Sequence, residues 1–303
     1  MKILRTFPAG AIVMLASACA THPPSRTSEL VFEGQATPFL PGIVSSEYSE
    51  VRAAISRDGA TVLWGSTNRP GGPGGWDIGM SHRREGQWSA PVAVSFDTPN
   101  KEFDPAFSSD GAQVYFFSNR PGGFGGDDIW SVAFDRRTGA FGVPVNLGAA
   151  VNSAGDEWAP TPMPGGKGLL FATNGRGGQG RHDLFTSAWR DAAWQSAQPL
   201  PGEVNSVGDD FDAAFVADGR FLVFARSDDV DNAPIALWSA TREGDRYVHP
   251  QKLDTRINVE GGWILGPSTD PTRPDSLLFS GLRSDAGLGK FDIHAIRYRL
   301  LRH

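Results

Sequence analysis

EFDPAFSSDGAQVYFFSNRPGGFGGDDIWSV, residues 102–132, is the clearest copy of a unit that the chain writes five times. A sister copy opens at Glu50 and keeps SRDG and then STNRPGGPGGWDI. A third opens at Glu157 and keeps ATNGRGGQGRHDL. The fourth, from Asp210, keeps FDAAFVADGRFLVFARS without the glycines, and the fifth, assigned from Glu260, retains DSLLFSGLRS and GKFDIH. The opening acids recur at intervals of 52, 55, 53 and 50 residues. Such a period belongs to a repeat architecture.

Within a copy the apolar residues form short runs of β-branched and aromatic character, such as Val114–Phe117, Ile129–Val132 and Phe221–Phe224. Runs this short, bounded by Asp-Gly and Gly-Gly, read as strands joined by tight turns. Asp58-Gly59, Asp110-Gly111 and Asp218-Gly219 each separate two runs, a strong hairpin signal. Beyond residue 30 no stretch keeps a helical period. Four short strands per repeat of this length describe a propeller blade, so an all-β, five-bladed β-propeller of four-stranded antiparallel blades is expected.

The fifth copy ends at its third strand, residues 291–298. Ahead of the first copy, LPGIVSS at residues 40–46 aligns with LPGEVNS at 200–206, the segment that joins one blade to the next. A strand from residues 37–46 is therefore expected beside 291–298, completing the last blade and leaving no open sheet edge.

These repeats resemble the TolB-like (WD-type) β-propeller repeat proteins of bacterial envelopes. The resemblance rests on PAFSSDG with its following YFFS, on SNRPGGFGGDDIW, and on NLGAAVNS before the next acid. It covers nearly all of the chain after residue 37, and Arg57, Ser109 and Ala217 replace the family's usual proline before Asp-Gly. It implies a propeller scaffold, and the family includes binding modules and peptidoglycan-linked envelope proteins.

The first residues are of another kind. Lys2 and Arg5 precede an apolar stretch, Phe7–Leu15, that ends in Ala16-Ser17-Ala18-Cys19. This reads as a secretory signal of residues 1–18, too short for a membrane span. The small residues before Cys19 resemble a lipobox, although Ala16 stands where leucine is commoner. Cys19 is the chain's one cysteine, with no disulfide partner to occupy it in an oxidising compartment, so lipidation there is expected. Residues 19–36 then read as a lipidated tether and 37–303 as the propeller. The expected location is the periplasmic side of the outer membrane.

The net charge of −6 argues against nucleic acid, which is bound by neutralising phosphates with Lys and Arg. The opening acids Glu50, Glu102, Glu157, Asp210 and Glu260 and the arginines Arg69, Arg120, Arg176, Arg226 and Arg283 occur once per copy. They are expected to form two rings around one mouth of the central channel. Repetition in every copy favours stapling by bidentate ion pairs over a ligand role.

A catalytic site would require the copies to differ. Asp104 and Asp212 share a repeat position and Glu157 belongs to the ring, so no acid pair appears unlike its siblings. His82, His182, His249 and His294 show no metal-binding spacing. If the chain were a carbohydrate-active hydrolase or lyase, Asp104, Glu157 and Asp212 would be the candidates. Residues 122–130, GGFGGDDIW, match the calcium nonapeptide pattern, which would make Asp127 and Asp128 ligands. The motif stands alone instead of in tandem, so no cofactor is expected and calcium is the minor alternative. The blander reading of the glycine segments is a flexible hairpin with positive-φ residues. Trp88, Phe141, Trp194 and Tyr247 share one repeat position and read as packing between blades.

The favoured function is that of a non-catalytic envelope lipoprotein binding an envelope protein or peptidoglycan-associated partner. Arg69, Trp76, Arg120, Arg176 and Arg181 would form the partner surface, with Asp228 and Asp229 giving one side an opposite charge that orients the partner.

Overall fold

The Asp-Gly pairs turn hairpins by a local mechanism. Asp58 and Asp110 accept the Ser56 and Ser108 hydroxyls at 2.6 Å and the Ala60 and Ala112 amides at 3.0 Å. Gly59 and Gly111 then take φ of 68° and 71°.

The strands these turns join form five antiparallel sheets in a computed structural model that describes residues 28–282 and 287–302. Blade 1 runs Ser49–Ile55, Thr61–Thr67, Trp76–Arg84, with a fourth strand in two pieces, Gln87–Trp88 and Val92–Ala93. Blade 2 is Glu102–Phe107, Gln113–Ser118, Asp128–Asp135, then Ala140–Phe141 and Val145–Asn146. Blade 3 is Glu157–Pro162, Gly168–Thr173, Asp183–Arg190, then Ala193–Trp194 and Gln198–Pro199. Blade 4 is Asp209–Val216, Phe221–Ser227, Ala236–Glu243 and Arg246–Lys252. Blade 5 contains Ile264–Asp270, Arg273–Gly281 and Asp292–Arg302. The described residues contain no helix, and the fold is a five-bladed β-propeller.

The fourth strand of blade 5 comes from the N-terminal side, as expected, but from an earlier segment. Ser28–Pro38 pairs antiparallel with Asp292–Arg302, from Ser28 opposite Arg302 to Pro38 opposite His294. Residues 28–36 are therefore strand and not part of the tether expected over 19–36; their polar residues mask the buried Phe32 and Ala36. Of the segment expected to pair, 37–46, Thr37 and Pro38 do so, opposite Ala295 and His294, and the chain then turns: Ile43 and Val44 donate amides to the Leu40 carbonyl at 3.0 and 2.9 Å. Cys19 and the signal segment lie outside the described residues.

The second strand of each blade faces sheets on both sides and is buried accordingly. Trp64, Phe116, Phe171, Phe224 and Phe279 have essentially no exposed surface. Burying such a side chain is worth about 1.5–3 kcal/mol. Trp88, Phe141, Trp194 and Tyr247 pack against the preceding blade, as their shared position predicts.

Candidate functional site

The opening acids are structural braces within blades. Glu50, Glu102, Glu157 and Asp210 are completely buried. Each accepts the amide of the residue four positions upstream: Ser46 at 3.1 Å, Thr98 at 2.7 Å, Ser153 at 2.8 Å and Ser206 at 2.6 Å. Arg120 Nη2 reaches Glu102 at 2.9 Å, Arg226 Nε reaches Asp210 at 2.6 Å, and Arg69 stands 3.8 Å from Glu50. Arg176 instead donates to the Ala149 and Asn152 carbonyls at 3.0 and 2.9 Å. Three guanidinium groups also lie over rings: Arg69 on Trp64 at 5.4 Å, Arg120 on Phe116 at 5.0 Å and Arg226 on Phe224 at 5.2 Å. Burial pushes Glu50 up to about 7 and raises Glu157 and Asp210. The acids thus tie the loop entering a blade to its second strand, and they do not line the channel.

Two members of the expected rings change. Arg226 lies opposite Asp210, where Ser66, Ser118 and Thr173 lie opposite Glu50, Glu102 and Glu157. It reaches the same carboxylate position from a different register. Glu260 is exposed in a turn, and the opening position of blade 5 belongs to Ile264. Its amide donates to Ile235 O at 3.0 Å, as that of Asp210 does to His182 O at 2.8 Å. An apolar residue there needs no arginine. Arg283 lies outside the described residues.

The glycine loops are joints with defined packing, which corrects their reading as flexible hairpins. Asp128 folds back to accept the amides of Phe124 at 2.6 Å and Gly125 at 3.2 Å, and Asn146 Nδ2 at 2.8 Å. A Cβ on Gly123 would lie 2.3 Å from that carboxylate, and one on Gly125 would lie 2.4 Å from Gly155 O of the next entering loop. Glycine is required there by close approach. Asp77, Asp183 and Asp292 cap their loops in the same way. Asp127 is turned to Trp158 Nε1 at 2.9 Å and Lys101 at 3.4 Å. Among the described residues no three His, Cys, Asp or Glu side chains are grouped to hold a metal.

The two residues after each opening position meet at the axis. Val51, Phe103, Trp158 and Leu265 pack together with Phe117, and Phe211 meets Trp158 edge-on at 6.5 Å. They plug the channel towards the glycine loops. The next position holds Arg52, Asp104, Ala159, Asp212 and Gly266, with φ of 51°, 51°, 51°, 41° and 58°, at a bulge in every innermost strand. The repeat copies therefore do differ at the axis, contrary to the expectation that no acid stands apart. Arg52 crosses from blade 1 to Thr161 Oγ1 at 2.5 Å and Pro160 O at 3.4 Å in blade 3. Asp212 accepts the Gly266 amide at 2.9 Å. Burial holds Asp104 well above the usual carboxylate range, with Asp212 adding to the shift and Arg52 opposing it. Burial also raises Asp212.

Asp104 and Asp212 thus come together, whereas Glu157 remains in its brace. The axial channel below them, about 340 Å³, opens at the Asp-Gly hairpin face and is lined by Arg52, Arg57 and Thr161. None of the three candidate carboxylates lines it.

On the glycine-loop face, Trp76 is 43% exposed and rests on Phe103 at 4.8 Å, with Lys101 Nζ over it at 5.4 Å. Arg69, Arg120 and Arg176 are half-buried in the braces. Arg181 pairs with Asp229 at 2.8 Å and stands 3.8 Å from Asp231. The two signs expected to face each other across the mouth thus largely neutralise one another, leaving Asp228 exposed.

Sequence reasoning missed Arg52, which aligning the position two after each opening acid would have exposed. It also missed Phe124 and Leu288, exposed by 52% and 54% at the same loop-tip position. Of the four histidines, His182 meets Asp209 through Nδ1 at 2.7 Å and stacks its ring on Trp158 at 4.2 Å.

No family model and no curated protein matches the chain. Solved structures do. A proposed exo-β-1,3-galactanase of Bifidobacterium bifidum superposes with a TM-score of 0.52 at 12% identity, covering 89% of this chain and 94% of its own. An endo-arabinase of Bacteroides thetaiotaomicron gives 0.51 at 14%, covering 88% and 97%. A proposed TolB of Agrobacterium tumefaciens gives 0.49 at 14%, covering 84% and 91%. At these identities the likeness of the first two establishes the propeller fold alone.

Proposed function

We propose that the chain is a non-catalytic binding module of the bacterial envelope, exported and anchored through Cys19, whose glycine-loop face docks a protein or cell-wall partner. The observation that carries this reading is the placement of exposed apolar side chains on the glycine-loop face, Phe124 and Leu288 at loop tips and Trp76 at the start of the third strand of blade 1. Trp76, Phe124 and Leu288 belong to blades 1, 2 and 5, which are neighbours around the ring, and each is more than two-fifths exposed. Aromatic side chains in such positions are the usual anchors of an interface. The braces beneath hold these loops in place, and Arg181, Asp228 and Asp229 flank them on the side of blades 3 and 4. Attachment to the outer membrane facing the periplasm follows from the lipobox-like segment. Crosslinking and affinity capture of the full chain from membranes tests the docking. A specific partner crosslinked at the loop tips is the expected result, and recovery of no partner above a control protein counts against it. Intact mass of the membrane-extracted protein tests the anchor, which an unmodified Cys19 thiol would remove.

A hydrolase or lyase is the second reading. It is favoured by the unlike axial residues Arg52, Asp104 and Asp212 and by the fold shared with the arabinase and the galactanase. Against it stands the plug of Val51, Phe103 and Trp158, which separates both aspartates from the loop face. Incubation with arabinan and galactan, read as new reducing ends, separates the two readings.

A further inference from the structure

Blades 2 and 3 part at the hairpin face to leave a cavity of about 800 Å³, larger than the axial channel. That volume falls within the roughly 300–1,000 Å³ of small-molecule sites. Two replacements in blade 3 create it. Its hairpin consists largely of Gly165, Gly166 and Gly168, and a Cβ on Gly165 would meet nothing within 4 Å. In blade 2 the pair Phe134–Phe141, 5.2 Å apart, is covered by Phe107, which leaves Phe134 6% exposed. The blade 3 pair Trp189–Trp194, 5.0 Å apart, faces Pro162 in that place, and Trp189 is 44% exposed.

The wall has a specific chemistry. Tyr115 meets Trp194 edge-on at 6.1 Å, extending the aromatic surface to three rings. Gln113 and Ser131 line the same cavity. No hydrogen bond ties the Gln113 amide, the Ser131 hydroxyl or the Tyr115 hydroxyl to the rest of the described protein. One Arg and one Asp, Arg57 and Asp110, stand at its edge, so the site offers no net charge. Such a wall fits a ligand that is neutral, rich in hydroxyl groups and flat on its apolar faces. An apolar peptide would leave the amide and hydroxyls unused, and a charged ligand would find no uncompensated counter-charge.

We propose that this cavity binds an oligosaccharide, on the opposite face from the glycine loops and independently of what those loops dock. Titration calorimetry of the full chain with chitotetraose, cellotetraose and maltotetraose tests it. Saturable binding of at least one of these is expected. Trp189→Ala should weaken it by about tenfold, and Gln113→Ala, a change at an exposed polar side chain, by a smaller factor. Phe124→Asp, on the other face, should leave it unchanged. The proposal is overturned if none of the three binds at millimolar concentration. It is also overturned if the sugar binds Trp189→Ala and Gln113→Ala as tightly as the parent, or if only a proline-rich peptide occupies the cavity.

Discussion

Asp97 accepts the amide of Ile78 at 3.1 Å from a position that asparagine occupies in three other blades. Asn152, Asn205 and Asn258 accept the amides of Ile129, Leu184 and Leu237 at 2.8 Å. Their Nδ2 groups donate to the same residues' carbonyls at 3.0, 3.1 and 2.9 Å. Asp97 matches this pattern only when protonated, and its Oδ1 is buried without a partner. Burial pushes its pKa up to about 9, with Glu102 and Asp77 adding to the shift.

The folded pKa lies above the usual value of 3.8, so folding takes up a proton between these limits and stability falls as pH rises from about 4 to 9. Asp97→Asn supplies the donor permanently. The variant should be more stable than the parent at pH 7, by on the order of 1–4 kcal/mol. Its urea midpoint should lose the parent's decline between about pH 5 and 9. A lower midpoint at pH 7, with the decline retained, would show that Asp97 is not the asparagine's equivalent.

Glu102→Ala tests the braces. It leaves Arg120 half-buried over Phe116 and strands the Thr98 amide and the Ser118 hydroxyl, which Glu102 accepts at 2.7 and 2.8 Å. A loss of about 3–5 kcal/mol is expected in chemical denaturation. Glu260→Ala, in an exposed turn, should stay within about 0.5 kcal/mol of the parent. Equal effects at the two positions would return Glu260 to the ring.

Closure of the propeller predicts a sharp truncation boundary. Ser28–Pro38 covers the edge of Asp292–Arg302, buries Phe32 and sets it against Tyr298 at 6.5 Å. A chain beginning at Ser28 should melt cooperatively at the parent temperature. One beginning at Phe39 should unfold or aggregate, because blade 5 then exposes a free edge. Cooperative melting of the shorter chain at the parent temperature would refute the closure.

The blades were legible because each Asp-Gly turn and each alternating run acts locally, within a dozen residues. The closing strand was legible as a need but not as a segment. Ser28–Pro38 finds its partner more than 250 residues away, and its two buried residues are too few to mark a strand. The braces were legible as pairs of residue types, yet Arg226 shows that geometry can reuse a carboxylate position from another register. Asp104 and Asp212 were legible as a shared repeat position, but Arg52 was missed because the three meet only when the ring closes, and the fault lay in aligning residues that were alike. Function lies in such departures from the repeat, where alignment carries the least signal.

The two functional readings divide on which face tolerates change. Phe124 is exposed at a loop tip, and its backbone is fixed through Asp128, so Phe124→Asp alters the surface and spares the fold. That variant should reduce partner capture from membranes by about tenfold or more, as removal of an interface anchor does. Trp76→Ala should act in the same direction, with a small stability cost from its contact with Phe103. Asp104→Asn should leave capture unchanged, since burial disfavours the charged form of that carboxyl and Asn tolerates the left-handed backbone at φ 51°. Asp212→Asn should likewise spare capture, because the apolar plug separates it from the loop face. Should the purified chain cleave arabinan or galactan, and should Asp104→Asn or Asp212→Asn abolish that cleavage, the axis becomes the active site and the binding reading falls.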